Sequence, residues 1–116
     1  FGRIVNVASI AALRARSMAI AYSVSKAGMV AMTKGLAEAL AGANVRVNAV
    51  APGLIETEIH QSIDRDRLDQ IVANSPIQRM GTPEEISEFV LFLLSERSSF
   101  MTGQTLVASG GRVMLP

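Results

Sequence analysis

The chain has 116 residues, 49% of them apolar, with eleven basic and ten acidic side chains, no cysteine and a single histidine. That length supports one hydrophobic core and not two, and a nearly balanced charge without a basic stripe argues against nucleic acid or an anionic membrane as partner, leaving a small molecule. The lack of cysteine excludes disulfides and thiolate metal sites and fits a cytoplasmic protein, the lone histidine excludes a histidine metal cluster, and no apolar run approaches the roughly 20 residues of a membrane span.

The opening run, FGRIVNVAS, is neither a basic-then-apolar leader nor an initiator methionine start. Residues 3–9 are short, β-branched and largely apolar, which predicts a buried strand. Residues 21–41 carry a helical period in Met29, Met32, Leu36 and Leu40, with Gly42 placed to end the helix in the left-handed conformation. Those four side chains serve either the core or a dimer face. Gly35, unfavourable within a helix, suggests a close approach of two backbones. Residues 45–50, VRVNAV, predict the next strand, cut off by Pro52-Gly53. Between residues 56 and 80 a charged stretch holds Ile59, Ile63, Leu68, Ile71 and Val72 at helical spacing, which predicts one or two short amphipathic helices, either a solvated connection or a mobile cover. His60 is expected on its surface. Thr82-Pro83-Glu84-Glu85 combines a cap, a proline at the first helical position and a glutamate at the third, marking a helix start. Residues 104–109 return to strand before Gly110-Gly111. This alternation predicts parallel strands joined by right-handed helical crossovers.

The only tyrosine, Tyr22, stands four residues before Lys26, so the two share one face of the helix a turn apart. A phenol with a pKa near 10 is a poor acid or base at neutral pH, and an adjacent ammonium favours its phenolate. Taken alone the pair is weak evidence of chemistry. Ser9, at the first strand's end, and Pro52-Gly53, at the second's, fall on the carboxyl edge of the sheet, where open parallel sheets bind ligands. Arg14 and Arg16, in the loop before the tyrosine, either are solvated or meet an anionic substrate.

Taken in order, GRIVNVAS, YSVSK, RVNAVAPGLIET and TGQTLVASGG resemble the C-terminal half of a short-chain dehydrogenase/reductase domain across essentially the whole chain. The resemblance implies an α/β fold, the C-terminal half of a Rossmann-type doubly wound parallel sheet with crossover helices. Residues 1–116 would be the catalytic and substrate-side part of one dinucleotide-binding domain. It further implies an oxidoreductase that interconverts a carbonyl and an alcohol with NAD or NADP, working as a homo-oligomer, a dimer or tetramer. Tyr22 would be the general acid/base, Ser9 would hold the substrate oxygen, and Lys26 would assist Tyr22 and bind the nicotinamide ribose. Pro52 and Gly53 would shape the cofactor turn, Ile55 would meet the carboxamide through its backbone, and Thr57 would lie near the carboxamide or pyrophosphate. No metal is implied. The family's glycine-rich phosphate loop is not among the 116 residues, so the chain by itself is expected to be a catalytically incomplete fragment. The alternative is a non-enzymatic structural or dimerisation module. Ser109 stands where the family often carries aspartate.

Overall fold

The structure is a computed structural model; it describes the backbone of residues 1–116 and every side chain except that of Ile59, so the apolar role expected of Ile59 lies outside the described residues. Three parallel strands, β1 (Gly2–Val7), β2 (Val45–Pro52) and β3 (Thr105–Ala108), lie in the order β1-β2-β3. Helix α1 (Ile20–Leu40) joins β1 to β2; α2 (Arg65–Ala73) and α3 (Pro83–Leu94) lie between β2 and β3. Among the described residues no helix is long and apolar enough to cross a membrane.

The central strand β2 is buried from Arg46 through Ala51, as expected where helices cover both faces of a parallel sheet. Side-chain alternation identifies those faces. Asn6, in register with Ala49, donates to the Thr33 hydroxyl of α1 at 2.9 Å. Arg3, in register with Arg46, faces the other way and reaches Glu96 at 2.9 Å, just beyond α3. Partners in register point to the same face and neighbours along a strand to opposite faces, so α1 and α3 cover opposite sides of the sheet. Both connections nevertheless step across the sheet in the same direction. Their crossovers therefore have opposite hands, which corrects the uniformly right-handed expectation. That preference belongs to compact strand-helix-strand units, and the second connection contains a long excursion before α3 that frees the helix to reach the far face.

Three local expectations are also revised. Residue 42 lies within the short 3-10 turn Ala41–Ala43, and the left-handed position is Asn44, with φ 58°, whose short polar side chain tolerates it. The buried positions of α1 are Ser23, Thr33 and Ala37, while Met32 is exposed and Met29, Leu36 and Leu40 are half-buried. Small side chains let the helix lie close to the sheet, and the larger apolar ones flank that contact. A Cβ placed on Gly35 would meet nothing within 4 Å, so no other backbone segment of this chain approaches it.

The excursion is closed at its base. An isolated parallel bridge pairs Ile55 with Gly81: the Gly81 N–H donates to Leu54 O at 3.0 Å and the Glu56 N–H to Gly81 O at 2.8 Å. Just beyond it the expected cap of α3 is complete. The Thr82 hydroxyl accepts from Glu85 N–H at 3.2 Å, and the Glu85 carboxylate accepts from Thr82 N–H at 2.8 Å. Arg79 grips the same carboxylate with two guanidinium nitrogens, at 2.9 and 2.6 Å. Arg79 first, then the Thr82 N–H, hold the Glu85 carboxyl down to about 2 from an ordinary 4.5. A folded-state value below the unfolded one adds stability that is present above the unfolded pKa and lost as pH falls through the folded one. The difference in unfolding free energy between the native chain and Glu85→Gln should thus be constant above about pH 5 and shrink between pH 4.5 and 2, as measured by denaturant unfolding across that range.

Candidate active site

At the carboxyl edge of the sheet, the Ala8 N–H donates to Val50 O at 2.8 Å, carrying the β1 pairing one residue past the strand. Ser9 then departs in an extended conformation and caps the 3-10 turn Ile10–Ala12, its hydroxyl accepting from the Ala11 N–H at 3.1 Å. The strand thus stops short of Ser9, because that backbone turns to follow the cap. As acceptor in this bond, the hydroxyl keeps its own proton for a ligand oxygen.

A second 3-10 turn, Ser17–Ala19, leads into α1, and Tyr22 lies in the first turn of that helix with half its surface exposed. Lys26 sits one turn on. Its ammonium lies 5.7 Å from the centre of the Tyr22 ring and donates to Val7 O at 3.0 Å. One lysine thereby fastens the tyrosine face of α1 to the end of the strand that delivers Ser9. An ammonium has three N–H donors, so two remain for other acceptors.

Beyond β2 the chain is shaped by close approach. The Gly53 N–H donates to Ala108 O at 2.8 Å, and a Cβ on Gly53 would lie 2.7 Å from Ser109 Cα and 2.9 Å from its Cβ. This glycine is required by the end of β3, whatever it does for a ligand. Pro52 does not break β2, which runs through it. Val50 O serves β1 while the Ala49 and Gly53 N–H groups serve β3, so the missing Pro52 N–H would have faced the β1 side, beyond the last paired residue.

The bridge at Gly81 uses Leu54 O and Glu56 N–H, the groups on either side of Ile55. Among the described residues Ile55's own N–H and C=O are left without a backbone partner, which suits a carboxamide needing one donor and one acceptor. Ile55 borders a cavity of about 210 Å³ beneath α3, and Thr57 borders a separate cleft of about 830 Å³ with His60; Ser9, Tyr22 and Lys26 line neither. His60 is half-buried, with a buried Nδ1 lacking a partner, rather than the plain surface residue expected. Sequence reasoning missed the Val7 carbonyl and the Asn6–Thr33 bond that hold α1 in place. The asparagine inside an otherwise apolar strand was the available signal for the second.

A family model described as enoyl-(acyl carrier protein) reductase matches residues 1–112. The chain belongs to the short-chain dehydrogenase/reductase family. It is 42% identical, over 97% of its length, to the 3-oxoacyl-[acyl-carrier-protein] reductase FabG of Thermotoga maritima, covering 46% of that protein. The enzyme of the same name from Chlamydia pneumoniae is 44% identical over 95% of the chain, which covers 44% of it. Nodulation protein G of Rhizobium meliloti is 39% identical over 98%, with 46% covered. The crystal structure of the 3-oxoacyl-[acyl-carrier protein] reductase of Brucella melitensis superposes with a TM-score of 0.91 at 36% identity, over 97% of this chain and 42% of that one. The chain thus spans somewhat under half the length of these relatives. Family membership and the parallel α/β architecture agree with the sequence-based expectation.

Adding one methyl group at the tightest point should be costly. Gly53→Ala should destabilise the chain by about 1–3 kcal/mol, the usual range for overpacking, with Ser109 displaced. Thermal or denaturant unfolding checks it, with Gly28→Ala, where a Cβ meets nothing within 4 Å, as the comparison.

Proposed function

We propose that these 116 residues are the catalytic, substrate-side part of a single dinucleotide-binding domain. The whole protein would be an NAD- or NADP-dependent oxidoreductase that interconverts a carbonyl and an alcohol. The activity named for these relatives points to a 3-oxoacyl thioester as the carbonyl substrate. The observation that carries this reading is the Lys26 bond to Val7 O, which fixes the Tyr22 face of α1 against the strand leading to Ser9.

A nicotinamide bound beside these residues would supply hydride chemistry to the carbonyl carbon. Tyr22 donates its phenolic proton to the carbonyl oxygen as that carbon is reduced, giving the alcohol, and takes a proton back in the reverse direction. The Ser9 hydroxyl, with its proton uncommitted, donates a hydrogen bond to the same oxygen and holds it in place. The Lys26 ammonium stands beside the ring that passes through the phenolate, and its two remaining N–H groups suit ribose hydroxyls. Ile55 offers one backbone donor and one acceptor to the carboxamide, while the Thr57 side chain, exposed and without a capping bond, is available nearby.

In the full-length protein Tyr22→Phe should cut turnover at least about a hundredfold, the lower end for loss of a positioned acid/base, with cofactor affinity nearly unchanged. Lys26→Ala should lower turnover and weaken cofactor binding together. Steady-state kinetics with fluorescence titration of the dinucleotide separates the two effects. Turnover within a few-fold of wild type in Tyr22→Phe would remove the assigned role.

We further propose that the whole protein is a homo-oligomer assembled through the outer face of α1, where Ile20, Val24 and Met32 are 65%, 66% and 49% exposed. Unpaired apolar area of this kind is characteristic of an interface. Val24→Glu should lower the oligomeric state seen by sedimentation or light scattering, and an unchanged mass would place the interface elsewhere.

A further inference from the structure

Four arginines from three separate segments of the chain border one concavity near the turn that follows Ser9. Arg14 and Arg16 come from the loop before α1, Arg67 from α2 and Arg112 from the turn after β3. Together with Gln70 and Asn74 they border a concavity of about 520 Å³ that no acidic side chain lines. An adjoining hollow of about 120 Å³ shares Arg14, Arg16 and Arg112 and is closed by Ile10 and Ala11, the residues directly after Ser9. Among the described residues none of the four guanidiniums forms an ion pair, although the chain as a whole is nearly neutral.

The turn that presents Arg112 is held firmly. Gly110 and Gly111 adopt φ values of 63° and 87°, and a Cβ on Gly111 would lie 2.8 Å from the Pro76 ring. The Ser109 hydroxyl, in the position where the family often has aspartate, closes the turn by donating to Val113 O and accepting from Val113 N–H, at 3.2 and 3.1 Å. The Arg14 guanidinium reaches Arg112 O at 3.5 Å. Burial first, then Arg16 and Arg14, push the Arg112 guanidinium below its usual range. Like charges brought together in a concave, partly desolvated place, with no internal counter-ion, are stabilised by an external anion. Forked guanidiniums suit the paired oxygens of a phosphate group, and a hollow suits a compact group better than the broad surface of a macromolecule.

We propose that Arg14, Arg16, Arg67 and Arg112 form a subsite for a phosphate group on the outer arm of the substrate. The assignment of that phosphate to the substrate rests on the oxidoreductase reading above; the anion site itself does not.

Calorimetric titration of the full-length protein with inorganic pyrophosphate at low ionic strength, with NADP present to fill any dinucleotide site, tests the site. Saturable binding that weakens with added salt is expected. Arg14→Gln/Arg16→Gln and, separately, Arg112→Gln should weaken it at least about tenfold, since each removes charge-assisted bonds. Arg14→Lys/Arg16→Lys should retain more affinity than the glutamine pair, and Arg97→Gln, in a different cleft, should change nothing. Circular dichroism of each variant confirms the fold. No saturable binding, or equal binding by the glutamine variants, overturns the site. Tighter binding of a polyglutamate peptide than of pyrophosphate would overturn it in favour of an acidic protein partner. In the full-length enzyme, Arg14→Gln/Arg16→Gln should raise KM at least tenfold for a phosphate-bearing 3-oxoacyl thioester and leave a phosphate-free one of equal acyl length unchanged. Equal effects on both substrates would separate the site from the substrate arm. Because the binding measurement needs no turnover, its failure is distinct from failure of the oxidoreductase reading.

Discussion

The guanidinium of Arg46 occupies the centre of the α3 face of the sheet. From the second residue of β2 it donates to Leu93 O and Ser95 O, at 3.1 and 2.9 Å, and to the Ser98 hydroxyl and Met101 O, at 3.1 and 3.2 Å. A cation at the carboxyl end of a helix meets carbonyls without partners inside the helix, so Arg46 both ends α3 and satisfies groups that burial would otherwise leave costly. Two residues on, Asn48 continues the same work, donating to Met101 O and accepting from the Gln104 N–H, both at 3.0 Å. These bonds deliver the chain into β3. The place of β3 in turn determines where Ser109 meets Gly53 and where Arg112 is presented.

The opposite face depends on a lighter set of fastenings. Asn6 to Thr33 and Lys26 to Val7 O hold α1 against β1. The contrast follows from what each face must do. The α3 side is fastened by a buried cation with four acceptors and has no proposed chemical role. On the α1 side, Lys26 has spare donors and Tyr22 is half exposed, so its polar groups remain available to a ligand. Between the two faces lies β2, buried on both sides and in contact with both.

Much of this was legible in the chain because its strands and helices carry distinct periods and the start of α3 is marked by a proline and a capping box, whereas β2 runs through the expected stop at Pro52 and the left-handed stop expected at Gly42 falls at Asn44. The proximity of Tyr22 and Lys26 was legible because one helical turn brings i and i+4 together whatever surrounds them. What was hidden is of another kind. The lysine's acceptor, Val7 O, is a backbone atom and leaves no trace in residue identity. The inward side of α1 is made of Ser23, Thr33 and Ala37, which a search for large apolar residues passes over. The opposite hands of the two crossovers come from tertiary placement that no local pattern encodes. Arg46 is a charge inside an apolar strand, and only the structure shows the carbonyls that account for it.

The bridge between Ile55 and Gly81 gives the excursion above it a separate design freedom. The segment leaves and re-enters the fold through two adjacent residues, and a Cβ on Gly81 would lie 2.8 Å from Ile55 Cδ1, so the junction is tightly packed. No side chain of α2 is buried, so little of the core depends on that helix, whereas Ser75 is buried and Pro76 and Ile77 hold the Gly110-Gly111 turn. For a loop whose ends are already joined, doubling its length costs only about 0.6 kcal/mol of closure entropy. Insertions or deletions between Glu58 and Ala73 are therefore tolerable to the sheet and to the Lys26 fastening alike. This makes that part of the excursion a replaceable module, whose length and content can change while the sheet beneath it keeps its shape.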